Sequence, residues 1–82
     1  MDEMTIEELE AMEARAMAAT PGPWVSFIER RDHEAGSSFI KTQGSDIEMS
    51  GATDADQDFI ANARQDLPKL IVEIRRLRGW RS

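Results

Sequence analysis

Apolar positions recur every three or four residues at both ends of this chain, and every second residue in short stretches between them. Ile6, Leu9, Met12, Ala16 and Ala19 fall at steps of 3, 3, 4 and 3, one narrow stripe along a helix. Thr5 opens that helix with Glu8 three residues on, the spacing of a reciprocal capping box. Glu7, Glu10 and Glu13 lie off the stripe and are expected to face water. Pro21 forbids continuation and pushes Thr20 toward extended geometry.

Pro21-Gly22-Pro23 forms a stiff corner that delivers Trp24 to a first strand, residues 24–28, with Trp24, Ser26 and Ile28 on one face and Val25, Phe27 and Glu29 on the other. The polar run 30–37 reads as a hairpin loop turning at Gly36. Ser38 to Thr42 reads as a second strand, and Gln43-Gly44-Ser45 as the next turn. Asp46 to Ser50 alternates polar and apolar, a short third strand at the sheet edge.

The strongest periodicity comes last. Phe59, Ala63, Leu67, Leu70, Ile74 and Leu77 fall at steps of 4, 4, 3, 4 and 3, and Ile60 and Ile71 widen that face. Thr53 or Asp54 can cap this helix, and Asp54, Asp56 and Asp58 suit its positive end. Pro68 interrupts it. A proline inside a helix costs ~3 kcal/mol, whereas one at the start of a new helix costs little. The expectation is a helix from about 54 to 65, a bend at Asp66-Leu67-Pro68 with Asp66 capping the restart, and a second piece ending at Gly79. The fold class expected is therefore α+β: an N-terminal helix, a small antiparallel sheet of two or three strands, and a bent C-terminal helix, in one domain spanning 1–82.

At 82 residues the chain has little core to build. It buries only ~60% of its unfolded surface, and disulfides, a metal or a partner subunit usually compensate. Cysteine is absent, so packing or self-association remains, and a homo-oligomer is expected. Leu70, Ile71, Ile74, Leu77 and Trp80 are the candidate interface. The longest apolar run, Leu70-Ile71-Val72, is far short of the ~20 residues of a membrane span, and Met1-Asp2-Glu3-Met4 lacks the apolar segment of a signal peptide. Both point to the cytoplasm.

Net charge is −6 and unevenly spread: residues 1–58 hold 14 acids and 4 bases, and residues 59–82 hold 2 acids and 6 bases. An acidic chain is a poor nucleic-acid binder, since phosphate contact needs Lys and Arg. Arg75, Arg76 and Arg78 fit the negative end of the last helix and, facing solvent, keep it soluble. His33, the only histidine, sits between Asp32 and Glu34 in the loop, and sequence neighbours do not converge into a triad or a metal site. No catalytic residue, metal or cofactor is assigned, and the expectation is a protein that is not an enzyme.

Two side chains carry more interest. Trp24 suits either a core position against the first helix or a stacking surface for a planar ring. Arg64 either pairs with Asp66 or an acid of the first helix, or offers a fork that grips phosphate or carboxylate. Thr20 and Asn62 flank them and complete a candidate ligand-binding group.

The blocks Ala19-Thr20-Pro21-Gly22-Pro23-Trp24 and Asp58-Phe59-Ile60-Ala61-Asn62-Ala63-Arg64-Gln65-Asp66-Leu67-Pro68, followed by Glu73-Ile74-Arg75-Arg76-Leu77, resemble a group of small phage and prophage proteins labelled Ea22-like or Ead-like. The likeness covers both ends of the chain, about half of it. It implies an accessory protein of a mobile element, with no established enzymatic activity to carry over. By analogy of context it implies an anti-defence role. The protein would sequester an anionic small molecule such as a nucleotide immune signal; the alternatives are an acidic inhibitor of a host defence complex, anti-CRISPR-like, or a structural or interaction protein.

Overall fold

The computed structural model describes residues 3–34 and 36–80. Its elements run α1 (Ile6–Ala18), β1 (Val25–Phe27), β2 (Phe39–Lys41), β3 (Ile47–Glu48) and α2 (Asp54–Arg78). The three strands form one antiparallel sheet in the order β1-β2-β3. The expected α+β class is the one observed, with the third strand present.

Local chemistry sets both helix starts. Thr5 Oγ1 accepts from the Glu8 amide at 3.1 Å, and Glu8 Oε1 accepts from the Thr5 amide at 3.0 Å. Thr53 and Asp56 make the same reciprocal pair at the start of α2, so Thr53 is the cap and Asp54 the first helical residue. At the far end Gly79 adopts φ 71°, a left-handed conformation that favours glycine. The Gly79 and Trp80 amides then close the last carbonyls of the helix.

The expected restart at Asp66 does not occur. α2 continues through Pro68 to Arg78 as one helix, and Asp66 is exposed within it. Ala61 and Ile71, on either side of Pro68, are both buried. Packing before and after the proline holds both halves in one register and offsets the cost of ~3 kcal/mol.

The strands are shorter than expected, because side chains take the backbone groups at their ends. The Ile28 amide donates to Asp32 Oδ2 at 2.8 Å, and both backbone groups of Trp24 bond to Gln65. β1 is left with Val25, Ser26 and Phe27, paired to Lys41, Ile40 and Phe39. The loop folds back on the sheet, with His33 beside Phe39 at 5.5 Å between ring centroids and Phe27 stacked on Phe39 at 5.3 Å. The core is small. Leu9 of α1 and Ile40 of β2 are fully buried, with Ile28, Ala61 and Ile71 around them.

Two ion pairs join distant segments. Arg31 grips Asp58 of α2 through two bonds of 2.8 and 2.9 Å, and also reaches Asp32. Arg75, expected among solvent-facing cations, is buried and donates to Glu13 of α1 at 2.6 Å. Glu13 accordingly does not face water as expected; it is half-buried against α2. The Arg75 hydrogen bond holds the Glu13 carboxyl below its ordinary 4.5. Arg31 holds the Asp32 and Asp58 carboxyls below their ordinary 3.8.

Carboxyls depressed by folding contribute stability that is complete above their unfolded values and is lost as pH falls through the depressed folded ones. The thermal midpoint should therefore hold from pH 7 to about 5 and fall below about 4. Glu13→Gln should flatten that acid-side slope. An unchanged slope in calorimetric scans of Glu13→Gln would show that the pair does not couple folding to protons.

Candidate functional site

Helix α1 runs antiparallel to α2, with Thr20 near Arg64, Glu13 near Arg75 and Met4 near Arg78. Between the two helices lies an open groove of about 520 Å³. Leu9, Met12, Ala16 and Ala19 form one wall, and Ile60, Leu67, Leu70 and Ile74 the other. Trp24 joins this lining, and Arg15 and Arg64 are its cations.

The corner before β1 is strapped to α2 at the groove's edge. The Thr20 carbonyl accepts two bonds, from Trp24 Nε1 at 2.9 Å and from Arg64 Nε at 3.0 Å. Gln65 clamps the Trp24 backbone: its Oε1 accepts from the Trp24 amide at 2.7 Å, and its Nε2 donates to the Trp24 carbonyl at 3.2 Å. Gly22 lies tight beneath this clamp, where an added Cβ would meet Gln65 Oε1 at 3.1 Å. The Gly22–Pro23 peptide is cis. The two unusual sequence blocks are therefore the two sides of one junction.

Thr20, Trp24 and Arg64 come together as a group. Asn62 does not join them. It lies two positions from Arg64, on another side of the helix, and its amide bonds the Asp58 carbonyl at 2.8 Å on the exposed surface. Arg64 pairs with neither Asp66 nor an acid of α1. Half-buried, it meets no carboxylate within ion-pair distance among the described residues, although the chain is acidic.

Of the candidate interface residues, Leu70 and Leu77 are exposed and Ile74 is half-buried. Ile71 is only 5% exposed and belongs to the core of the protomer, so it is not free for an interface. Trp80 is half-buried beneath Arg78, whose guanidinium carbon sits 4.8 Å from the ring centroid.

Two glutamines escaped the reading of the sequence. Gln65 holds Trp24 as described. Gln57, 2% exposed, donates from Nε2 to the carbonyls of Phe27 and Phe39 at 3.2 and 2.9 Å. Their signal is positional: Gln57 stands four residues before buried Ala61, and Gln65 four residues after it. An amide on the buried side of a helix needs a partner.

Among the described residues, no three His, Cys, Asp or Glu side chains cluster as metal ligands would. No helix among the described residues is long and apolar enough to cross a membrane. No protein-family model, curated protein or solved structure matches the chain.

Proposed function

We propose that this protein is a non-enzymatic binding module that, as an oligomer, sequesters an anionic small molecule bearing a planar ring, with nucleotides as the type. The observation that carries this reading is the convergence of Trp24 and Arg64 on the Thr20 carbonyl at the edge of the groove. The indole offers a face on which a base stacks. Among the described residues Arg64 commits its Nε to Thr20, which leaves its two terminal nitrogens for a phosphate or carboxylate fork. Arg15 lines the same groove and adds a second positive charge. The setting, an accessory protein of a phage or prophage turned against host defence, rests on the resemblance of the two blocks.

Native mass spectrometry with mono-, di- and cyclic nucleotides tests this directly. At least one should bind at integral stoichiometry. Trp24→Ala and Arg64→Ala should each weaken it by about tenfold or more, in line with a charge-assisted bond or a stacked base. Thermal midpoints of both variants separate lost binding from a loosened corner. If no member of the panel binds, or if both variants bind as the wild type does, the reading fails.

The acidic-inhibitor reading has its own support in the charge layout of residues 1–58, which suits a basic host surface. It requires partner binding that weakens steeply with salt, and no nucleotide.

A further inference from the structure

The α1–α2 groove is an unfinished core. On α2, Ile60, Ala63, Leu67, Leu70, Ile74 and Leu77 step by 3, 4, 3, 4 and 3, the a and d positions of a heptad seam. Most of that seam is bare: Leu67 is 52% exposed, Leu70 56% and Leu77 69%. The chain is also too open for its mass. Its accessible surface is 6159 Å², against about 5,000 Å² for a compact monomer of its 9.3 kDa. The excess, roughly 1,200 Å², exceeds the ~800 Å² that each partner contributes to a standard interface. The radius of gyration, 15.5 Å, likewise exceeds the ~12 Å of a compact domain of this length.

We propose that a second copy of this chain covers this groove, the two α2 helices lying side by side in the same direction. The seam's own residues specify that arrangement. Ile60 and Ile74 at a, with Leu70 and Leu77 at d, are the choices that favour two parallel strands. The flanks agree. Asp66 and Glu73 line one edge of the seam, and Arg64 and Arg78 the other. In a parallel pair the acidic edge of one helix meets the basic edge of the other, with Glu73 opposite Arg78. Reversal would set acids against acids and arginines against arginines. Pro68 lies off the seam and does not interrupt it. Each α1 flanks the pair, so four helices surround the apolar residues that one copy leaves in water.

The inference deepens the oligomer in the function proposed above and rests on the same groove, but its test uses no ligand. Sedimentation of the full chain should give twice the 9.3 kDa chain mass. Leu70→Asp, at an exposed position, should sediment as a monomer while keeping the wild-type circular dichroism. The chain has no cysteine, so Leu77→Cys reports direction. In a parallel pair the two residues at 77 adjoin and mild oxidation should cross-link the dimer. In a reversed pair each sits opposite the region of Ile60, some 25 Å along the helix at 1.5 Å per residue, and no cross-link forms. A monomeric wild type, a Leu70→Asp dimer or an uncrosslinked Leu77→Cys dimer would each overturn the proposal. A monomer that still binds a nucleotide would overturn it and spare the ligand reading. A cross-linked dimer that binds none would do the reverse.

Discussion

Leu9→Ala should remove much of this protein's stability. Leu9 and Ile40 are the only large side chains fully buried among the described residues, so the cavity opens where α1 meets the rest of the core. Truncating a buried leucine costs about 2–5 kcal/mol, against the ~5–15 kcal/mol that a whole domain has available. Alanine is the best helix former, so α1 itself loses nothing intrinsically. For a domain of this size the thermal midpoint should fall by about 10 °C or more. Calorimetry of the variant checks it, and a fall under about 4 °C would mean that α1 is not anchored through Leu9. The same truncation at Met12, which is 40% exposed, should cost much less.

The second large effect is expected at a polar position. Gln57 joins the first turns of α2 to the ends of β1 and β2 through the Phe27 and Phe39 carbonyls. Gln57→Leu keeps the volume and removes the donor. A buried group left without its partner costs about 1–3 kcal/mol, so two acceptors facing an apolar side chain should lower stability by about 2–3 kcal/mol in all. The loss should be visible locally as well. Hydrogen exchange of the β1 and β2 amides should accelerate in Gln57→Leu more than that of α2 beyond Ile71. Uniform acceleration across the chain would instead mark Gln57 as a general core residue, with no special hold on the sheet.

What could be read in advance divides along physical lines. Thr5 with Glu8 is a local signal, complete within four residues, and it located the start of α1. The heptad steps of residues 59–77 likewise declared an amphipathic helical face, although not that one helix carries it. The strand ends were not legible, because the groups that terminate β1 come from Asp32 and from Gln65, one in the loop and one on another element. Pro68 misled for a related reason. Its cost is local, whereas the burial of Ala61 and Ile71 that offsets it is tertiary. Glu13 and Arg75 each looked like a solvated charge, and only the antiparallel packing of α1 on α2 brings them together.

The candidate site was half legible. Unusual residues marked Thr20, Trp24 and Arg64, and these do meet. Asn62 was included by adjacency in sequence, which on a helix separates side chains as often as it joins them. Gln65 was passed over because a glutamine within a helix carries no conspicuous pattern.

The strap across Thr20 and Trp24 bears on how such a chain can evolve. The position of the corner is dictated by two side chains of α2, 41 and 44 residues downstream, and less by the residues that directly follow it. Gly36 itself is exposed, and a Cβ added there would meet nothing within 4 Å, so a change at that position leaves the indole where it is. Gly22 and Trp24 have no such freedom: they and the Arg64-Gln65 pair must be inherited or altered as a set, whereas Thr20 enters through a main-chain carbonyl that any residue supplies.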